Sequence, residues 1–314
     1  MNFGQSIQNP ILNLIQNKIQ NPKSKIEEMN KNNHIGLISI VMPVYNAEMF
    51  VRDAIDSTLQ QSFADFEFII VDDGSTDNTL SIIRSYKDER IKLMENSHDF
   101  VGSLNLGINT AQGTYIARMD ADDVMHIDRL KIQYTVMEEN PNITVCGTGM
   151  RCFGKHTQPT TPQALSGLIE NPLLKLMTGC FMAHPTVMIR TDFLRQHGLE
   201  YDKNYEYAED FKFWVEIAKK GGVFYVESQP LMFYRLSDQQ ISTRKKEEQA
   251  AKTETIMREA LDCLIERNRK EYPELFTVFR GLKKLEKKEI MTKHEILGFA
   301  QTIFLRNDKK LNLQ

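Results

Sequence analysis

Between residues 37 and 146 the sequence repeats one unit. A short, continuous apolar run gives way to a stretch with helical spacing, and the links are brief. Residues 37–44 (LISIVMPV), 66–71 (FEFIIV), 91–94, 114–119 (TYIARM) and 143–146 read as strands. Their runs do not alternate with polar residues, so both faces are expected to be buried. Between them, residues 49–60 place Phe50, Val51, Ala54, Ile55 and Leu59 on one helical face. Residues 78–86, 101–111 and 128–139 also read as helices; Thr76 or Asp77 can cap the first, and Asn140-Pro141 ends the last. Strand–helix–strand repetition with short links predicts an α/β fold: a doubly wound, mostly parallel sheet with helices on both faces.

Such sheets bind ligands beyond the carboxyl ends of their strands. This sequence puts its polar clusters there: Tyr45-Asn46 after the first strand, Asp72-Asp73 after the second, and Asp120-Ala121-Asp122-Asp123 after the fourth. Three clusters at three strand ends are expected to meet in one crevice. No GxGxxG follows the first strand and no GxxxxGK[ST] occurs, which argues against a dinucleotide-dependent dehydrogenase and a P-loop NTPase. The DxD arrangement offers hard oxygen ligands suited to Mg²⁺ or Mn²⁺, with phosphate oxygens completing the shell. Alternatively it is a solvated acidic turn capping the next helix. Asp72 and Asp73 can accept from a base imide or ribose hydroxyls, or form an Asx-turn. Downstream, Glu209-Asp210 opens an amphipathic helix through Phe211, Trp214, Val215, Ile217 and Ala218. That pair is either favourable charge at a helix N-terminus or a general base.

Together these residues resemble the family 2 glycosyltransferases, inverting sugar transferases of the GT-A fold. The matching pieces are Ser39 to Asn46 (SIVMPVYN), Ile70 to Thr79 (IVDDGSTDNT), Leu104-Asn105-Leu106-Gly107-Ile108, Gly113 to Asp123 (GTYIARMDADD) and Glu209-Asp210, across about residues 37–240. The resemblance implies that Pro43, Val44, Tyr45 and Asn46, with Asp72 and Asp73, hold the base and ribose of a nucleotide-sugar, most commonly a UDP-sugar. Arg118 and the Asp120-Ala121 pair would lie along the nucleotide and donor sugar. Asp122 would ligate the Mn²⁺ or Mg²⁺ that holds the diphosphate. Asp210, paired with Glu209, would be the catalytic base. The segment from Ala183 to Arg190 resembles the strand before the acceptor region, which makes His184 and Trp214 acceptor-side candidates. Leu104 stands where many members carry Arg, so a phosphate contact there is lost; His98 or Arg118 are substitutes. The QxxRW motif of processive synthases is absent. Phe233-Tyr234-Arg235-Leu236 with Gln240-Ile241-Ser242 resembles the end of a non-processive bacterial domain. The implied function is metal-dependent transfer of a hexosyl or N-acetylhexosaminyl unit to a glycan or lipid-linked acceptor in cell-surface polysaccharide or lipooligosaccharide biosynthesis. A sugar-nucleotidyltransferase would need a glycine- and cation-rich first loop, which Pro43 to Asn46 does not supply. A non-catalytic nucleotide-sugar-binding scaffold would have no use for both Asp122 and Asp210.

Three divisions are expected: a leader over 1–34, partly disordered or a short helix; a GT-A domain over 35–243; and a helical extension over 244–314. Polar residues interrupt the leader's apolar pairs, so it does not read as a secretory signal. With net charge −3 the chain has no global basic footprint for nucleic acid. The four cysteines (Cys146, Cys152, Cys180, Cys263) form no CxxC pair and read as buried free thiols in a reducing compartment. Residues 244–314 carry 17 basic and 12 acidic side chains, so charge is segregated to the tail. Its amphipathic segments are suited to packing on the catalytic domain, to a homodimer, or to an anionic membrane surface. The expected location is cytoplasmic, with peripheral contact at the inner face of the cell membrane as the further option.

Overall fold

Every residue of β1 (Ile38–Val44) and β2 (Phe66–Asp72) is buried, as their mostly apolar runs predict; the polar Ser39 and Glu67 within them bond each other. Successive side chains of a strand point to opposite faces. Ile38, Ile40 and Met42 therefore join one core layer with Val51, Ala54 and Ile55 of α1 (Val51–Leu59), while Val41 joins the other. That second layer holds Val101, Leu104 and Ile108 of α3 (Phe100–Thr110). The two layers are the physical content of a doubly wound sheet. The structure is a computed structural model that describes residues 38–154, 161, 165–237 and 245–313.

The remaining elements of the first half are α2 (Thr79–Ser85), β3 (Ile91–Glu95), β4 (Tyr115–Arg118), β5 (Val124–Met125) and α4 (Arg129–Glu139). Then come β6 (Val145–Gly154), β7 (Gly167–Leu168), α5 (Pro172–Thr178), β8 (Met188–Arg190), α6 (Thr191–His197), α7 (Glu209–Lys219) and β9 (Phe224–Leu236). Three helices follow: α8 (Lys246–Asn268), α9 (Pro273–Lys287) and α10 (Lys293–Arg306). The sheet runs β3-β2-β1-β4-β8-β6-β9-β5, with β7 on β9. The predicted parallel block is β3-β2-β1-β4. Beyond it the sheet is mixed. The strand expected at 143–146 is the start of the longer β6, and it does not pair with β4. Instead β8 lies between them, antiparallel to both, and β6 runs parallel to β9 over ten residue pairs. Parallel pairing still predominates by length.

The extension shares the catalytic core. Ile256, Ala260, Leu261, Leu264 and Ile265 of α8, Phe279 of α9, and Ile296, Leu297, Ala300 and Phe304 of α10 belong to the same apolar layer as Trp214. The packing option for this region is thus what the helices do with their apolar faces. The leader and the boundary near residue 243, with Gln240-Ile241-Ser242, lie outside the described residues. Cys146 and Cys152 are buried and Cys263 is half-buried, but Cys180 is exposed. It follows Gly179, whose φ of +141° takes the chain out of α5 towards solvent. Among the described residues no helix is long and apolar enough to cross a membrane.

One glycine has a packing role. A Cβ on Gly107 of α3 would stand 2.4 Å from Val41 Cγ1 on β1, so the helix lies this close to the sheet only without a side chain. At an exposed helical position Gly→Ala stabilises by about 1 kcal/mol. Here the contact reverses the sign: Gly107→Ala is expected to cost about 1–3 kcal/mol, read as a lower denaturation midpoint in urea.

Candidate active site

The parallel register aligns the strand ends. Val44 pairs with Asp72, and Val41 with Arg118, so the loops after β1, β2 and β4 leave from one edge. Pro43 and Val44 are buried as the last residues of β1; Tyr45 and Asn46 are exposed beyond it. Asn46 adopts φ +46°, and its Oδ1 accepts from Thr76 N at 2.8 Å while its N–H donates to Ser75 Oγ at 3.0 Å. These bonds lace the first two loops together. The Tyr45 ring lies 4.4 Å from that of His98, between centroids, at the open edge.

The Asp72–Asp73 pair divides into two roles. Asp73 Oδ1 accepts from Asp99 N (2.7 Å) and Ser103 Oγ (2.8 Å), so this oxygen ties β2 to the start of α3. Asp72 Oδ2 accepts from Ser75 N at 3.0 Å, whereas its Oδ1 is buried without a hydrogen-bond partner. Asp73 keeps its Oδ2, 3.8 Å from His98 Nδ1, so each carboxylate retains one oxygen outside these hydrogen bonds, the Asp72 one buried.

The loop after β4 gathers Asp120, Asp122 and Asp123, with one carboxylate oxygen of each within 4.8 Å of the others. Arg118, buried at the end of β4, forms an ion pair with Asp120. Burial, then the charge of Asp120, raises Asp122 from 3.8 to about 6. Burial and the same neighbours push Asp123 well above the usual carboxylate range. Asp123 Oδ1 accepts from Arg235 N at 2.8 Å, and its Oδ2 is buried with no hydrogen-bond partner. Close carboxylates that resist ionising, with an orphaned oxygen, fit a hard divalent cation. Ala121 is the small, buried residue between the first two. Behind the loop Arg129, fully buried, donates from Nη2 to the carbonyls of Arg118 (3.0 Å) and Val187 (3.1 Å).

Glu209 and Asp210 open α7. Burial, then Asp210, raises Glu209 to about 7, and its Oε2 is buried without a hydrogen-bond partner. Burial also raises Asp210, with the charge of Asp120 adding to it and that of Arg118 opposing. The two acidic sites therefore feel each other and share Arg118. The turn before α7 contains Tyr207 at φ +73°, an uncommon conformation for a bulky residue. Helix α8 braces that turn: Gln249 Nε2 donates to the Tyr207 carbonyl (2.8 Å) and Lys252 Nζ to that of Glu206 (2.9 Å).

His184 is buried, and its Nε2 is 2.8 Å from Tyr201 Oη. Burial, then Arg118, holds its pKa well below the ordinary value, so it is neutral. Trp214 differs from a surface acceptor contact. It is 0% exposed, meets His184 edge-on at 5.9 Å, and its Nε1 is buried without a hydrogen-bond partner. Asn105, from the third motif, clamps the Tyr201 backbone in both directions at 2.8 and 2.9 Å. Tyr201, Arg129, Arg235, Gln249 and Lys252 were not singled out as site residues from the sequence. Their partners lie on distant segments, and no local pattern marks them.

Comparison with known proteins matches residues 39–198 to the profile described as Glycosyl transferase family 2. An uncharacterised glycosyltransferase of Haemophilus influenzae is 35% identical over 236 residues, 71% of this chain and 72% of that one. The UDP-Glc:alpha-D-GlcNAc-diphosphoundecaprenol beta-1,3-glucosyltransferase WfgD of Escherichia coli is 30% identical, covering 67% of this chain and 81% of its own. Among solved structures, S. aureus TarS 1-349 in complex with UDP-GlcNAc superposes with a TM-score of 0.60 at 21% identity, over 75% of this chain and 72% of that one. The last likeness concerns the fold.

The raised Asp122 has a consequence for stability. The folded chain keeps a proton that the unfolded chain releases between pH 3.8 and about 6. Stability contributed by this group therefore falls as pH rises through that window. With EDTA present at pH 7.5, Asp122→Asn is expected to raise the urea midpoint. At pH 3.5, below both values, the difference should vanish. A lower midpoint for the variant at pH 7.5 would show that Asp122 is stabilised, not strained, in the ionised form.

Proposed function

The chain belongs to glycosyl transferase family 2, and on that premise we propose that it transfers a hexosyl or N-acetylhexosaminyl unit from a UDP-sugar to a hydroxyl of a glycan or lipid-linked saccharide, inverting the anomeric centre. One observation carries this reading. The Asp120-Asp122-Asp123 loop and the Glu209–Asp210 pair act electrostatically on the same buried Arg118. The printed names of WfgD and of the TarS complex support UDP as the nucleotide, and that of WfgD supports a lipid diphosphate acceptor in cell-surface polysaccharide synthesis.

In this reading Tyr45 and His98 offer ring faces to the base at the open edge. The unpaired Asp72 Oδ1 accepts from the base or ribose. Asp122 and Asp123 hold a divalent ion, Mn²⁺ or Mg²⁺, which supplies positive charge to the departing diphosphate. Arg118, already paired with Asp120, lies along the donor. Asp210 takes the proton of the acceptor hydroxyl as that oxygen attacks the anomeric carbon from the face opposite the leaving group. Half-buried and with its pKa raised, it is a better base than an exposed aspartate. Glu209, raised to about 7, is only partly ionised near neutral pH and so adds less negative charge beside the base than a free glutamate would. Neutral His184, fixed by Tyr201, lines the acceptor side without repelling a cationic transition state.

The exposed residues Arg280, Lys284, Lys287 and Lys288 follow one another at helical spacing along α9. Such a row suits the anionic inner face of a membrane, where a lipid-linked acceptor resides, and we place the reaction there, in the cytoplasm.

The test is a thermal-shift panel of UDP-, GDP- and dTDP-sugars with Mn²⁺, Mg²⁺ or EDTA, followed by turnover of variants. A UDP-sugar is expected to raise the melting point only with metal, and Asp122→Ala to lose that shift. Asp210→Asn is expected to keep it while turnover falls by about 10²-fold or more. Near-normal turnover in Asp210→Asn would remove it as the base. Stabilisation by a GDP- or dTDP-sugar instead of UDP would overturn the donor.

A further inference from the structure

The acidic loop is closed from behind by a residue more than a hundred positions away. Arg235, near the end of β9, makes three separate polar ties. Its backbone N–H donates to Asp123 Oδ1 at 2.8 Å, its Nε to the Asp122 carbonyl at 2.6 Å, and its Nη2 to Asp53 Oδ2 of α1 at 3.1 Å. The guanidinium carbon also lies 4.6 Å from the ring centroids of both Phe50 and Phe153. The side chain is 14% exposed. Just before it, β5 pairs with β9 through Val124–Phe233 and Met125–Met232, so the exit of the loop is anchored to the same strand.

The choice of atoms is informative. A cation set directly on the Asp122 carboxylate would compete with a metal for the same oxygens. Arg235 instead grips the Asp122 main chain through Nε and directs Nη2 to Asp53. Asp123 gives up one oxygen to a backbone N–H and keeps the other, which has no hydrogen-bond partner. The loop is thereby held in place while its carboxylates stay available. The two flanking rings fix the plane of the guanidinium, which a flexible ammonium would not maintain.

We propose that Arg235 is the positioning residue of the acidic loop: it fixes the Asp122 main chain and one oxygen of the Asp123 carboxylate so that the free carboxylate oxygens converge on a divalent cation, without itself touching metal or donor. The cation rests on the reading above; the placement of the loop does not. Outer partners of metal ligands typically change affinity by about 10–100-fold when removed, and the effect here is expected at the lower end, about tenfold.

Two readouts separate these claims. Hydrogen exchange of residues 119–125 is compared in wild type and Arg235→Lys without metal. The variant is expected to lose protection there and to keep it in β1 and β2. Mn²⁺ binding is then followed by electron paramagnetic resonance in the presence of UDP. The variant is expected to bind about tenfold more weakly, with turnover recovering as Mn²⁺ is raised, which a general folding defect would not do. Wild-type protection of residues 119–125 in folded Arg235→Lys overturns the proposal. So does unchanged Mn²⁺ affinity in a wild type that binds the ion. A wild type that binds no Mn²⁺ with UDP overturns the metal reading, and hydrogen exchange still decides Arg235. Should Arg235→Lys fail to fold, Asp53→Ala removes the outer acceptor of Arg235 Nη2; full protection of the loop in that variant likewise overturns the proposal.

Discussion

The site depends first on the two parallel ladders of β1. Parallel pairing places strand ends side by side, so the position of one loop sets the positions of its neighbours. With Val44 opposite Asp72 and Val41 opposite Arg118, the polar residues after β1, β2 and β4 emerge along one edge without any long loop to carry them. Burial of both faces enforces the register. A slip of one residue would send Ile38, Ile40 and Met42 to the layer that Val41 occupies. The geometry of the site is therefore as secure as the core beneath it.

On that edge the chemistry is one of concentrated negative charge around the buried Arg118. Arg118 neutralises Asp120 directly and moderates Asp122, Asp123, Glu209 and Asp210. It does not balance them all. Burial, and after it the excess charge, raises the carboxylate pKa values, which means that folding holds these groups in a state their ionised forms oppose. A cation and a diphosphate arriving together would relieve that opposition. The free site is thus poised for ligands at some expense in stability, a common feature of functional constellations.

Much of this was legible because it is local. Strand ends followed by Asp72-Asp73 and by Asp120 to Asp123 are short-range patterns, and so is Glu209-Asp210 at the head of a helix. What could not be read depends on partners far along the chain. Asp73 looks like its neighbour in sequence, but it is engaged by Asp99 and Ser103. Trp214 lies on the same helix as Asp210, yet the helix turns it fully into the core. The strand within residues 183–190 was expected, but its place was not: β8 lies between β4 and β6, because three residues of strand carry too little pattern to say which neighbours they pair with. Arg235 reads as an unremarkable residue near a strand end until the acidic loop is folded against it.

The brace from α8 to the Glu206–Tyr207 turn has a consequence for recombining such chains. The span matched to the family ends at residue 198, whereas the Glu209–Asp210 pair, the turn before it and the helix that steadies it all come later. A hybrid joined at that limit would import a foreign acceptor half complete with its own base. A hybrid joined after β9 would instead leave Tyr207 facing an unrelated helix, its left-handed backbone unsupported. The natural seam for exchange thus lies upstream of the Glu209–Asp210 pair, and the terminal helices travel with that later half as one inheritable piece.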